Sequence, residues 1–213
     1  MSQLPPYDDE SLKLGDSLPR DGARSDGDSS LLQVISDEKL AGFTFEGMKR
    51  RLGTHPETLS RIIDRLEDES VLEKSADGYR VTQKGRSSLD QRRLVPQGQR
   101  VTLLRTLLPN DVDLEGVLAD LKGRWFGILR WLGYSSSPEG VVLKWVTEDG
   151  GVQVDASFFA GELIVEGKLF DGRNLAEAIR ASHQLLNHVS RIYSRPRANH
   201  VAFYRPFSYG DRN

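Results

Sequence analysis

Residues 44–85 read TFEGMKRRLGTHPETLSRIIDRLEDESVLEKSADGYRVTQKG, and their spacing decides how the rest of the chain is organised. Phe45, Met48 and Leu52 recur at helical steps behind Thr44, whose hydroxyl suits an N-cap. Gly53 then permits the left-handed turn that stops a helix. Thr54-His55-Pro56-Glu57 has the form of a capping box with proline in the first turn, so a new helix is expected from Thr54. Leu59, Ile62, Ile63 and Leu66 give that helix one apolar stripe. Val71–Lys74 and Tyr79–Thr82 are short strand-like runs joined at Asp77-Gly78, a hairpin signal.

Outward from this stretch, Leu31, Leu32, Val34, Ile35 and Leu40 predict a preceding short helix, capped by Asp28 or Ser29. Gln83-Lys84-Gly85 leads into a polar helix carrying Arg86, Leu89, Arg92 and Arg93. The order is helix, helix, helix, hairpin, helix. In this order and register, residues 44–74 and the GYRVTQKGRSSL run resemble the winged helix-turn-helix domain of MarR-like and ArsR-like transcription regulators. The resemblance covers about 60 residues, the size of one small domain. Gly47 inside the second helix, Lys49 in place of a small residue and Ser70 in place of a terminating glycine depart from the family pattern.

The resemblance implies that the third helix enters the major groove of double-stranded DNA and the hairpin reaches the adjacent minor groove. With Leu59, Ile62 and Leu66 inward, the opposite helix face presents His55, Glu57, Thr58, Arg61 and Arg65. Arg61 is the expected bidentate partner of a guanine edge, and Thr54, His55 and Thr58 are placed to reach bases or phosphates. Lys49, Arg50 and Arg51 on the second helix, with Lys74, Arg80 and Lys84 around the hairpin, are expected phosphate contacts.

Charge is unevenly spread. Residues 1–28 hold three basic and seven acidic side chains, net −4; residues 29–100 are net +2, and residues 101–213 are neutral. Residues 1–28, rich in Asp, Gly, Ser and Pro, are expected to be a disordered acidic tail. The chain has no cysteine, which excludes disulfides and thiolate metal sites. No apolar run is long enough to span a membrane and MSQLPPYDDE does not resemble a signal peptide, so the expected location is cytoplasmic, without membrane partners. The four histidines suggest no metal site, and no phosphate-binding glycine loop or nucleophile motif is present. Neither a cofactor nor an enzymatic activity is expected.

Val95-Pro96-Gln97-Gly98 marks a break between a first domain over 29–95 and a second over 100–193. Val101–Leu108 is readable as strand or helix. Leu114, Val117, Leu118, Leu121, Trp125, Ile128, Leu129 and Leu132 favour a helix from about Asp113 to Leu132, with a strand inside Trp125–Tyr134 as the competing reading. Strands are expected over Val141–Thr147, Val152–Phe159 and Glu162–Lys168. Asn174 should cap a long last helix whose apolar face is Leu175, Ile179, Leu186, Val189 and Tyr193. The fold class is α+β, a winged helix-turn-helix followed by an antiparallel meander with covering helices. Residues 194–213 form a basic aromatic tail.

These readings converge on a sequence-specific, double-stranded DNA-binding transcription regulator. Residues 100–193 are assigned to sensing of a small-molecule or protein effector or to homodimerisation, through apolar surface including Leu118, Leu121, Trp125 and Leu186. The alternative is a winged-helix module that docks on protein or RNA.

Overall fold

The computed structural model describes residues 26–89, 98–109, 111–170 and 172–193. Most of the expected acidic tail, the break at residues 95–97 and the basic aromatic segment 194–213 lie outside the described residues. Within them the chain is a mixed helix and strand protein with one eight-stranded antiparallel sheet and six helices.

The first part runs α1 (Asp26–Asp37), β1 (Gly42–Phe43), α2 (Phe45–Leu52), α3 (Pro56–Asp68), β2 (Leu72–Ser75), β3 (Gly78–Val81) and α4 (Gln83–Leu89). α1 therefore begins inside the stretch expected to be tail. Thr44 caps α2 by accepting from the Gly47 amide, and Gly53 ends it at φ 61°. The expected capping box at Thr54 does not form. His55 is the N-cap of α3, without a side-chain cap, and the Thr54 hydroxyl turns back to the Leu52 carbonyl. Proline at the first helical position supplies the preset φ that a capping hydroxyl would otherwise help select. Ser70 holds φ 58°, so a serine occupies the left-handed position where glycine is usual. Thr82 closes the hairpin onto α4: its hydroxyl donates to the Ser70 carbonyl and accepts from the Gly85 amide. α1, α2 and α3 bury Leu31, Ile35, Met48, Leu59, Ile63 and Leu66 in a common core.

The second part comprises β4 (Gln99–Leu107), α5 (Leu114–Leu121), β5 (Leu129–Ser137), β6 (Gly140–Thr147), β7 (Val152–Phe159), β8 (Glu162–Leu169) and α6 (Leu175–Tyr193). The expected helix from Asp113 to Leu132 is overturned: α5 stops at Leu121, and Leu129 opens a strand. A register shift between Trp131 and Gly133 puts Leu132 out of alternation, while Trp125 and Ile128, which carried the helix-like spacing across the gap, are exposed residues of the connection. The ambiguous 101–108 stretch is a strand paired with β8 at the sheet edge.

On α6 the buried face is Ala178, Ala181, Leu185 and Val189, whereas Leu175 and Ile179 are exposed. The expected face is thus rotated. Small side chains win the inner position because the helix lies close: a Cβ on Gly167 of β8 would sit 3.0 Å from that of Ala178.

The strand order β2-β3-β1-β5-β6-β7-β8-β4 joins the two parts in one sheet. The seam is β1, two residues long, paired with β3 on one side and with Gly133 and Tyr134 of β5 on the other. Ala41 and Thr44 extend it, donating to the carbonyls of Tyr134 and Leu132, each at 2.9 Å. α2 lies against β5 so closely that a Cβ on Gly47 would meet the Leu132 Cα and the Trp131 carbonyl at 2.6 Å. That approach gives a physical reason for glycine inside this helix, where it costs about 1 kcal/mol relative to alanine.

β6, β7 and β8 alternate between two buried faces. Leu143, Trp145, Val154, Ala156, Leu163 and Val165 point toward α5 and α6. The opposite face carries Lys144, Gln153, Asp155 and Lys168, all buried, and Glu38 from the end of α1 closes over them. Lys144 donates to Glu38 (3.2 Å) and Asp155 (3.0 Å), Lys168 bonds both carboxylates, and the Gln153 amide donates to Glu38 (2.9 Å) and Asp155 (2.8 Å). Two positive and two negative charges thus cancel inside the protein. Burial by itself would raise the Asp155 carboxyl, but Lys144 and Lys168 more than offset it and hold it down to about 2. The same competition leaves Glu38 below its ordinary value, and the two carboxylates keep Lys144 above its own despite burial.

Candidate nucleic-acid interface

α3 supplies the most exposed set of the expected contacts. Leu59, Ile62, Ile63 and Leu66 face the core, which turns His55, Glu57, Thr58 and Arg61 to solvent. Thr54 is half-buried at the preceding turn. The row is short: Asp64, Arg65 and Asp68 continue the exposed side, and Arg65 forms an ion pair with Asp28 at the start of α1. Buried Asp28 thereby fixes the Arg65 guanidinium on the protein's own surface.

The hairpin presents Lys74 and Arg80 from adjacent strands, both exposed, with Arg80 3.7 Å from Glu73. An exposed pair at that distance is worth little, so Arg80 is available to a stronger anion. The Lys84 ammonium donates to the Glu69 carbonyl at 2.7 Å, at the corner where α3 ends. Acidic side chains sit close by: Glu67 and Asp64 contribute, after burial, to raising the Tyr79 hydroxyl above its ordinary value.

α2 is engaged elsewhere. Lys49 pairs with Glu46 at 2.7 Å on its own helix. Arg50 reaches across the seam to Glu148 in the β6–β7 turn (2.9 Å), and Arg51 lies 4.0 Å over the Phe170 ring at the end of β8. Two of the three arginine and lysine side chains expected to touch phosphate from α2 are thus turned toward the second part of the molecule. Nothing in the 44–85 stretch signals this, because the partners are about a hundred positions downstream.

Arg61, Thr58 and His55 therefore share one exposed surface, and on the hairpin beyond, Lys74 lies on the Tyr79 face and Arg80 on the opposite, Glu73 face. Chemically the set offers one guanidinium for a bidentate contact, a hydroxyl, an imidazole and two flexible cations. That inventory fits recognition of a polyanion. Among the described residues no group of three or more His, Asp or Glu could hold a metal ion, and no helix is long and apolar enough to cross a membrane. Comparison with protein-family models, with curated proteins and with solved structures gives no match.

Proposed function

We propose that this chain is a sequence-specific, double-stranded DNA-binding transcription regulator, its 26–89 unit acting as a winged helix-turn-helix. The observation that carries the reading is the outward row His55, Thr58 and Arg61 on α3, exposed and flanked by a hairpin bearing Lys74 and Arg80. The order α1-β1-α2-α3-β2-β3, with β1 paired to β3, supports the winged-helix assignment. α3 is the recognition helix in this reading, and Arg61 reads a base edge.

A cytoplasmic location, a homodimer and an effector at residues 100–193 belong to the same proposal. Of the four side chains expected to join two copies, Leu121 is buried, Leu118 and Leu186 are half-buried, and Trp125 is broadly exposed. Most of that surface is therefore committed to the fold, and the exposed Trp125 is not assigned to the dimer contact in this proposal.

The test is binding to genomic duplex fragments across a salt series. Neutralised phosphates release counterions, so affinity should fall steeply with salt. At a selected site Arg61→Ala should cost about 1–3 kcal/mol and relax preference at one base position, with unchanged melting. A second reading, a winged-helix module docking on protein or RNA, draws for its protein half on the charge of residues 26–89, which hold 12 acidic and 10 basic side chains. No duplex binding at low salt would favour it.

A further inference from the structure

A second concave surface lies on the far side of the sheet from α1–α3. Between the 124–128 turn and the C-terminal half of α6 runs a groove of about 490 Å³, lined by Arg124, Trp125, His183, Gln184, Asn187 and Arg191. Trp125 is 63 % exposed, whereas Trp131 and Trp145 are 8 % and 0 % exposed. The Arg130 guanidinium covers one face of the Trp125 ring at 4.6 Å, which leaves the other face open to a flat partner.

Local carboxylates are already engaged. Asp120 bonds Arg124 (2.5 Å) and His188 (2.7 Å), Glu148 bonds Arg130 and Arg50, and Glu177 bonds Arg173. The sequence extends the bias. From Ala178 to Gly210, 33 residues, there is no aspartate or glutamate, although 31 acidic side chains in 213 would place about five there. That run holds five arginines, three histidines and five aromatic residues, and no lysine; Arg180, His183, His188 and Arg191 are its members among the described side chains, and the aromatics lie outside them. Arginine with interleaved aromatics is the composition that pairs phosphates with stacked bases.

We propose that this groove, with Trp125 as its platform, binds single-stranded nucleic acid, one unstacked base lying on the open indole face and an adjacent phosphate on Arg191. A duplex keeps its bases stacked and cannot use the ring, so the single strand is the occupant the chemistry selects. The surface is independent of α3 and does not rest on the duplex reading.

The experiment titrates the full chain with a 20-residue oligothymidylate. It follows tryptophan emission and, in parallel, the anisotropy of a labelled oligomer. Emission should be quenched through Trp125, with affinity falling as salt rises. Trp125→Ala should weaken binding by about fivefold or more and remove the quench, the low end of what one stacked base contributes. Trp125→Phe should retain the anisotropy-measured affinity, Arg191→Ala should weaken it severalfold, and Arg61→Ala should leave it unchanged. Several results would overturn the proposal: no binding at low salt, equal binding by Trp125→Ala, a mixed-sequence duplex competing equally well, stronger binding to anionic vesicles, or burial of Trp125 in a self-associated form. Loss of oligothymidylate binding in Arg61→Ala would assign the single strand to α3 instead.

Discussion

The two faces of β6, β7 and β8 are both buried, yet they are built from opposite materials. One presents Trp145, Val154, Leu163 and Val165 to two helices. The other presents Lys144, Gln153, Asp155 and Lys168 to the single side chain of Glu38. Apolar contact is non-directional and tolerates small shifts of a helix across a sheet. A cluster of charges in which both carboxylates are held by two lysines and an amide tolerates almost none, because any displacement leaves a buried charge without its partner. The difference teaches where the molecule is adhesive and where it is registered. α5 and α6 are stuck on, whereas the α1–α3 unit is keyed to one position by Glu38 and by the β1 seam.

The largest effect should come from breaking the key. Glu38→Ala leaves two buried ammonium groups against one carboxylate and should cost about 3–5 kcal/mol in urea unfolding followed by Trp145 emission. A loss below about 1 kcal/mol would mean that the cluster admits water and registers nothing. Acid should act on the same face next. Asp155 and Glu38 both titrate below their unfolded values, so their stabilisation is complete above the ordinary carboxylate range. It should be lost as pH falls from about 4 toward the Asp155 value of about 2. At the alkaline end the raised Lys144 pKa means its contribution is full below 10.5 and fades above it. Thermal melting across pH 2–5 checks the acid limb, and an unchanged melting temperature over that range would show that these two carboxylates do not set it.

The seam itself is the smaller target. Gly47→Ala improves helix propensity on paper, but its Cβ would meet the β5 backbone at 2.6 Å. We expect net destabilisation of about 1–3 kcal/mol, the usual cost of overpacking, measured by thermal melting. A stabilised variant would show that α2 slides on β5. Arg50→Ala removes a bridge to the exposed Glu148 and should lower the melting temperature only slightly, less at high salt. Any gain in duplex affinity on that change would speak against Arg50 as a phosphate contact.

Local signals carried the first part of the chain. Asp77-Gly78 makes the hairpin, Thr44 and Gly53 bound α2, and the apolar stripe of α3 leaves Thr58 and Arg61 outside. Each is a property of a few neighbouring residues. What escaped was set by distant partners. β1 is too short to show a period, and its pairing is with residues more than thirty and ninety positions away. The alternation Val152-Gln153-Val154-Asp155-Ala156 reads as one dry and one wet face, whereas Glu38 makes both dry. The alanines of α6 carry little hydrophobic weight in a periodicity and yet take the inner face, because closeness to β8 matters more than size. For the candidate interface, the outward side of α3 was legible, while the turning of Arg50 and Arg51 toward the sheet depended on Glu148 and Phe170.

The seam also sets an order of events during synthesis. β1 meets β3 within the first 81 residues, but its second neighbour, at Gly133 and Tyr134, is made about fifty residues later. At translation speeds of about 5–20 residues per second, the α1–α3 unit spends roughly 3–10 s outside the ribosome before that strand exists. During that interval the Gly42–Phe43 edge is open and Glu38 faces water, and Lys168, the last member of its cluster, arrives later still. The first unit must therefore be stable enough to wait. The closing of the seam is a late, long-range step with a large loop-closure cost, and it is where newly made copies of this chain are most exposed to pairing with one another.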